Sequence, residues 1–294
     1  MQIDRSYFKL HFIVILWGFT AIIGLLISLN FIELVFYRTL LATLALAIII
    51  AIRGKGFKLQ RSEVVKLLLT GVTIAIHWLL FFGAARYSNA SVSLIGLSTT
   101  TLWTSLIEPT VYKRKISIVE VIFAFLVILG LYIIYKDEFT YGLGLAMSVG
   151  AAILAAVFTV LNHKFVRKHH HSSIVFYEML GAWLTTIPFL WLLGSPDTPV
   201  LSLPTLSDFG YLLILALVCT VYANAEATKL LKKFSAFASN LVITMEPVYG
   251  ILLALIFFGD AEKMNLSFYL GTLVIIVSVI YYPLLLQRIM REKR

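Results

Sequence analysis

The feature that most constrains this chain is the length of its uninterrupted apolar runs. Residues 12–29 contain no charged side chain, and residues 118–135 contain only Glu120. A helix of about 20 apolar residues spans the roughly 30 Å hydrocarbon core of a bilayer. Backbone groups in that core must bond within the protein, so spans are helices or closed barrels, and long runs without alternation exclude a barrel. The sequence therefore predicts an all-α membrane protein.

Composition agrees with a lipid-facing surface. Only 13% of the 294 residues are charged and 60% are hydrophobic, whereas soluble domains average about 25% charged residues. The first apolar run follows Lys9, but no small-residue cleavage site with a polar domain comes after it. We therefore interpret this run as an uncleaved first span rather than a secretory signal. The lone Cys219 cannot form an internal disulfide.

Charged clusters and turn residues divide the chain into ten predicted helices. The linkers are short, and only those at 53–63 and 194–206 exceed a tight turn, which leaves no room for an extramembrane domain. The predicted spans are residues 8–28, 31–52, 64–86, 88–112, 116–135, 141–164, 172–193, 206–230, 233–258 and 266–287.

The distribution of basic residues provides an independent test of this topology, because positively charged loops stay on the cytoplasmic side. With the amino terminus placed inside, the inner segments hold 20 of the 24 Lys and Arg residues. The opposite side holds Arg86, Lys136 and Lys263, and Arg38 lies within a span. The pattern predicts ten spans with both termini cytoplasmic. It also explains the net charge of +9 without a nucleic-acid partner.

An internal repeat divides the chain in two. The Val-Phe-Tyr sequence at 35–37 recurs at 175–177, an offset of 140, and residues 125–128 resemble 272–275 at an offset of 147. The Glu-Pro pairs at 108–109 and 246–247 look repeated but are out of register; an offset of 146, which pairs Thr101 with Pro247, is consistent. Five spans per half is an odd number, so the halves are predicted to be inverted five-helix repeats, residues 1–138 and 139–294.

Five short motifs occur in order along the chain: Leu16-Trp17-Gly18, Phe36-Tyr37-Arg38, the Ser-Asn-Ala-Ser turn at 88–91, Glu246-Pro247-Val248-Tyr249 and Phe258-Gly259-Asp260. With the predicted spans and the repeat, these motifs resemble the EamA family of the drug/metabolite transporter superfamily, and the resemblance covers nearly the whole chain. In two places the chain departs from the family pattern: Thr101 stands where proline is usual, and Asp260 where glutamate is common.

The resemblance implies a substrate cavity between the repeats, lined mainly by spans one, three, four, six, eight and nine, and alternating access by rocking of the repeats. We expect a multi-pass protein of the bacterial inner membrane whose partners are the lipid bilayer and a small-molecule substrate. Proton coupling is one option for driving transport. A monomer and a homodimer are both compatible with the sequence.

Ionisable groups inside a membrane are functional candidates because an unpaired charge there costs several kcal/mol. Glu246 lies near the middle of span nine, and Pro247 removes a backbone hydrogen bond beside it. This carboxyl is the strongest predicted site for a polar substrate, a cation or a proton, with a protonated structural glutamic acid as the alternative. His77 and Trp78 lie mid-span, and Asn224 is equivalent to Trp78 at the offset of 146. Histidine titrates near neutral pH, whereas hydrogen bonding between helices is the alternative role.

Further candidates are weaker. Trp17, Thr101, Asn240 and Tyr249 complete the predicted substrate-binding set. Arg38 and Glu178 occupy equivalent positions of the two repeats with opposite charge, so we predict either a substrate or gating contact or a buried structural ion pair.

The resulting functional hypothesis is a secondary active transporter that exports or exchanges a small metabolite, amino acid or drug-like solute. No GxxxxGK[ST] motif for ATP occurs. The alternatives are an intramembrane enzyme, although no His-Glu-x-x-His pair or catalytic serine-histidine pattern occurs, and a channel, although the loops are too short for a filter. No cofactor or metal is predicted, since the consecutive residues 169–171 do not converge as ligands would.

Overall fold

The computed structural model describes residues 5–54, 58–135, 142–192, 201–258 and 265–292, and all regular structure within these ranges is helical. This confirms the predicted all-α fold class. The predicted repeat boundary at 138/139 and the motif residues Gly259 and Asp260 lie outside the described residues. The helices are α1 (Arg5–Leu26), α2 (Phe31–Arg53), α3 (Arg61–Tyr87), α4 (Ala90–Leu97), α5 (Thr100–Tyr112), α6 (Ile118–Tyr135), α7 (Gly142–Phe165), α8 (His171–Leu192), α9 (Leu206–Leu213), a π-helical segment (Ile214–Tyr222), α10 (Ala223–Leu230), α11 (Ala236–Ile243), α12 (Glu246–Phe258) and α13 (Leu266–Glu292).

Six continuous helical stretches within the described ranges are long and apolar enough to cross a membrane. Two shorter apolar stretches, Ile118–Gly130 and Tyr269–Tyr282, accompany them. The lipid-facing character is visible on α6, where Ile122, Phe125 and Leu129 are exposed on one side. The chain is thus built as a multi-pass membrane protein. The six stretches are α1, α2, α3, α7, α8 and Leu206–Leu230.

Predicted spans four and nine are not continuous helices, which corrects the sequence expectation. Each is interrupted, at residues 98–99 and 244–245, which we call the two breaks. Threonine hydroxyls bond carbonyls at these points: Thr100 Oγ1 donates to Leu97 O (2.6 Å) and Thr244 Oγ1 to Leu241 O (2.5 Å). Such bonds accompany the breaks but do not by themselves cause them, since Thr20 makes the same kind of bond within the continuous helix α1. Pro247 is the second residue of α12, a position where no backbone donor is required.

The helix pairs on either side of the two breaks have matching bounds. All four ends of α11 and α12 lie 146 residues after the corresponding ends of α4 and α5. The start of α8 likewise lies 140 residues after the start of α2. These helix offsets of 146 and 140 residues equal the repeat offsets seen in the sequence.

The helix from Leu206 to Leu230 contains the π-helical segment, which the apolar pattern does not indicate. Within it, Thr220 Oγ1 donates to the carbonyl of Leu215, five residues earlier, at 2.7 Å. The π geometry adds an extra residue per turn and is often found at functional sites. Here it turns Thr220 and the carbonyl of Cys219 toward α2 and α1, where both are bonded.

Close helix crossings join the two halves of the chain. Helix α3 packs against α7 and α8, α2 against α8, α6 against α13, and α1 against α12. At the α3–α8 crossing Gly71 faces Gly181, and a Cβ added to Gly71 would lie 2.9 Å from Gly181 Cα. At the α1–α12 crossing a Cβ on Gly18 would lie 3.0 Å from Gly250 N. Small residues therefore set the interhelical distance.

A polar clamp fixes the start of α9 to the turn between α1 and α2. The buried Asp208 carboxylate accepts hydrogen bonds from Ser28 N (2.7 Å) and Ser28 Oγ (2.6 Å). The same residue completes a capping box with Thr205, whose Oγ1 accepts from Asp208 N at 3.1 Å. One carboxylate thereby satisfies donors of two chain segments that are distant in sequence.

Candidate functional site

A central cavity lies where the two breaks meet. Leu97 and Thr100 flank the first break and Ile243 and Glu246 flank the second, and all four line the cavity. Further lining comes from α1, α3, α7, α10 and α11, whereas α2 and α8 contribute one residue each, Arg38 and Glu178. The breaks therefore bring four helix ends to the wall of one cavity.

Arg38 enters the cavity wall from α2 and is only 2% exposed. Its Nε donates to Thr220 Oγ1 at 2.8 Å, and its guanidinium carbon lies 4.1 Å from the centre of the Trp78 ring. Among the described residues, no carboxylate forms an ion pair with it. A cation over an indole face is electrostatically favourable, yet this guanidinium retains donors that a bound anionic group could use.

Glu178 enters from α8 and is also 2% exposed. Its Oε2 accepts a hydrogen bond from Asn162 Nδ2 at 3.3 Å, while Glu178 Oε1 and Asn162 Oδ1 are buried without a partner. Arg38 and Glu178 form no ion pair with each other, so of the two predicted alternatives the buried ion pair is absent from the described residues. The two residues, which the sequence repeat aligns, line the same cavity from different helices.

His77 and Trp78 are adjacent on α3 and both line the cavity. His77 Nδ1 lies 2.8 Å from the carbonyl oxygen of Ala151. Because a carbonyl only accepts, Nδ1 carries the proton in this bond and the neutral ring keeps Nε2 as an acceptor. The ring packs edge-on against Phe158 at 5.3 Å between centroids. A polar nitrogen is thus held beside an aromatic ring in the cavity wall.

Glu246 is the first residue of α12, directly after the second break, and is 5% exposed. Its neighbour in the wall, Asn240, donates from Nδ2 to Thr104 Oγ1 at 2.7 Å. Thr101 lies behind Asn240 and donates from Oγ1 to the Asn240 carbonyl at 3.4 Å. Contacts between α5 and α11 therefore hold Asn240 in the wall of the cavity that Glu246 also lines.

Trp17 and Asn224 line the cavity from α1 and α10. Trp17 Nε1 donates to the carbonyl oxygen of Cys219 in the π-helical segment at 3.1 Å. The indole donor is thus used within the protein, and what Trp17 offers to a ligand is its ring.

The structure brings together most of the predicted site residues. Two are not among the lining residues: Thr101 is fully buried behind Asn240, and the Tyr249 hydroxyl lies 2.9 Å from His11 Nδ1. Within the described ranges no three His, Cys, Asp or Glu side chains are grouped as metal ligands. The predicted residues that line the cavity are Trp17, Arg38, His77, Trp78, Glu178, Asn224, Asn240 and Glu246.

Other lining residues were not predicted from the sequence. Asn162 and Thr159 come from α7, and Thr20 comes from α1. Asn162 had a recognisable signal, since it is an amide inside an apolar span one turn from the basic residues that end it. Thr20 gave no such signal in the sequence. Threonines in membrane helices commonly bond their own backbone, as Thr20 Oγ1 does to Trp17 O at 2.6 Å.

Comparison with known proteins identifies the family. Residues 6–136 and 142–282 match the model of the EamA-like transporter family. The chain belongs to this family. This confirms the resemblance seen in the sequence, and the EamA-like transporter is a multi-pass membrane protein of the transporter class.

Relatives of this EamA-like transporter occur in bacteria and archaea. It is 24% identical over 296 residues to an uncharacterized transporter of Haemophilus influenzae, covering 90% of each chain. It is 26% identical over 289 residues to an uncharacterized transporter of Archaeoglobus fulgidus, covering 94% of this chain and 96% of the other. A crystal structure matches it with a TM-score of 0.74 over 96% of this chain and 99% of that chain. Its identity is 14%, so this likeness concerns the fold alone.

Proposed function

We propose that this EamA-like transporter is a secondary carrier that exports or exchanges a small metabolite, amino acid or drug-like solute by alternating access. The observation that carries the proposal is the central cavity, whose wall contains the two helix breaks, one from each half of the chain. Interrupted helices near the membrane midplane are where transporters of inverted-repeat design bind their substrates.

The two-repeat arrangement is part of the proposal. Residues 1–138 and 139–294 would form inverted halves with both termini in the cytoplasm of a bacterial cell, at its inner membrane. The 146-residue offset between the broken helices supports the repeat. The concentration of basic residues on alternate loops supports the orientation.

The proposed solute contacts follow from the cavity wall. Glu246 and Asn240 supply polar groups at the second break, His77 Nε2 and Asn224 supply further polar groups, and the rings of Trp17 and Trp78 supply flat apolar surface. Arg38 offers charge-assisted donors to an anionic group.

The remaining predicted residues, Thr101 and Tyr249, would act indirectly. Thr101 holds the Asn240 backbone, and Tyr249 contacts His11 outside the lining of the cavity.

Counterflow in proteoliposomes tests the carrier proposal. A thermal-shift screen against metabolite and amino-acid mixtures selects solutes, and each selected solute is then loaded unlabelled inside vesicles and offered labelled outside. A carrier gives transient, saturable accumulation of label. Chemical conversion of the solute would instead favour the intramembrane enzyme, and a non-saturating ion current would favour the channel.

A further inference from the structure

We propose that Glu178, held by Asn162, is the proton-binding site of this protein, at which a carboxyl takes up and releases the ion that drives transport. The inference rests on the proposed carrier function and deepens it. It assigns coupling to α8 and α7 rather than to Glu246, the carboxyl that the sequence favours most.

The hydrogen-bond geometry of the pair carries the argument. Glu178 Oε2 accepts from Asn162 Nδ2 at 3.3 Å, but Glu178 Oε1 and Asn162 Oδ1 are both buried acceptors without a donor. An unsatisfied buried polar atom costs about 1–3 kcal/mol, and an uncompensated buried charge costs more. A proton on Glu178 removes the charge and supplies the donor that the pair lacks. The pair is therefore built to bind a proton.

The surrounding charged groups leave Glu178 without a counterion. Arg38 from α2 is bonded to Thr220, and His77 from α3 is bonded to Ala151. The other charged groups on the packed helices have partners elsewhere or are exposed. Bonded groups are Lys66 of α3 with Glu63, Arg86 of α3 with the Leu29 carbonyl, Glu33 of α2 with Ser202 N, His163 of α7 with Tyr112, and Glu226 of α10 with Lys9 and Lys229. Arg53, Arg61 and Lys164 are exposed, and Glu246 of α12 lines the cavity. None of these groups forms an ion pair with Glu178.

The location of Glu178 gives the proton a route. The side chain lines the central cavity, so water that enters the open cavity reaches the carboxyl. An O–H bond forms on Glu178 when a hydronium ion of the cavity water donates its proton and becomes water. The same bond breaks when the cavity opens to the other side, where a water molecule accepts the proton and leaves Glu178 as the carboxylate. When the cavity closes to water between its two open states, the neutral acid costs less free energy than the carboxylate, since desolvating the charge is the larger cost.

Infrared difference spectroscopy of the purified protein tests the site with the proton itself as the probe. Spectra are recorded in ordinary and in heavy water between about pH 5 and about pH 9, a range in which buried carboxyl groups titrate. The wild-type protein is expected to show a carboxylic-acid C=O band that shifts in heavy water and loses intensity as the pH rises. Glu178→Gln should abolish that band, whereas the matched control Glu226→Gln should retain it.

Two results would overturn the proposal. One is a Glu178→Gln spectrum with the same pH-dependent bands as wild type, and the other is a Glu178 band of constant intensity across the pH range, as a permanently protonated structural acid would give. If Glu178→Gln yields no folded protein, Asn162→Ala serves instead. Loss of the Nδ2 hydrogen bond must then shift the frequency of the carboxylic-acid C=O band, and an unchanged frequency contradicts the assignment.

The same preparations separate this inference from the carrier proposal. Absence of counterflow in wild type would contradict the carrier, while the infrared titration still decides whether Glu178 binds a proton. With counterflow present in the wild type, Glu178→Gln is expected to lose accumulation driven by a pH gradient. Accumulation at the wild-type level in that variant would contradict Glu178 as the coupling site.

Discussion

The guanidinium carbon of Arg38 lies 4.1 Å from the centre of the Trp78 ring, and Arg38 Nε donates to Thr220 at 2.8 Å. An aromatic face and a hydroxyl thus hold a buried cation that has no carboxylate partner among the described residues. A desolvated cation–π contact contributes about 2 kcal/mol. The arrangement keeps the charge in place while leaving donors free toward the cavity.

Replacing Arg38 with lysine should impair transport although the charge is kept. Lysine lacks the flat guanidinium that stacks on Trp78 and the Nε group that bonds Thr220, so it cannot reproduce the geometry. We expect initial counterflow rates to fall by about tenfold, which corresponds to the loss of about 1.4 kcal/mol of binding. The matched control is Arg53→Lys at the exposed end of the same helix, which should behave as wild type. Equal rates in the two variants would argue against a role for the Arg38 geometry.

Glu246→Gln should reduce transport severely while leaving expression and elution unchanged. The side chain is nearly isosteric, and Glu246 begins a helix at the cavity wall, so the change removes an acid from the site without disturbing packing. The measurement is counterflow normalised to reconstituted protein, with Glu226→Gln as the control. Wild-type flux in Glu246→Gln would remove Glu246 from the site.

Gly71→Ala should destabilise the fold through the α3–α8 crossing. An added Cβ would meet the backbone of the partner helix, 2.8 Å from Ala182 N and 2.9 Å from Gly181 Cα, and backbone cannot rotate away. Overpacking of this kind costs about 1–3 kcal/mol. Thermal unfolding followed by size-exclusion fluorescence should show a clear decrease in melting temperature. Gly210→Ala has no atom within 4 Å of the new Cβ and should be neutral or stabilising. Equal melting temperatures for the two variants would contradict the close crossing.

Asp208→Ala should lower stability by releasing the α1–α2 turn. The substitution leaves the Ser28 amide and hydroxyl without their acceptor and removes half of the capping box at the start of α9. Loss of a helix cap costs about 0.5–2 kcal/mol. Hydrogen exchange should increase at Ser28 and in the first turn of α9. Ser207→Ala, at the exposed neighbouring position, should leave exchange at Ser28 unchanged; unchanged exchange in Asp208→Ala would show that the clamp contributes little.

The positions of the helices were predictable because apolar length is a local property of the sequence. Most of the helix ends agree with the predicted limits within a few residues. The two breaks were not predicted, because threonine–carbonyl bonds like those of Thr100 and Thr244 also occur in continuous helices, as at Thr20, and so give no local signal. The π-helical segment has the same apolar composition as a regular helix and likewise gave no signal.

The sequence predicted most of the polar and aromatic residues of the candidate site but not which of them contact each other. Repeat alignment identified Arg38 and Glu178 as equivalent, yet equivalence across an inverted repeat does not imply contact, and each residue has its own partner, Thr220 and Asn162. Thr101 was selected through its alignment with Pro247, which says nothing about which way its side chain points. Such questions depend on helix rotation, which apolar sequences specify weakly.

The two breaks also give the cavity an electrostatic character that no side chain provides. Helix α5 begins at Thr100 and α12 at Glu246, and both residues line the cavity. The amino-terminal end of a helix carries roughly half a positive charge from its aligned peptide dipoles. The carboxy-terminal ends of α4 and α11, at Leu97 and Ile243, line the same cavity and carry the opposite partial charge, so each break presents both signs of main-chain charge to the cavity. This polarity belongs to the main chain and persists when any lining side chain is replaced.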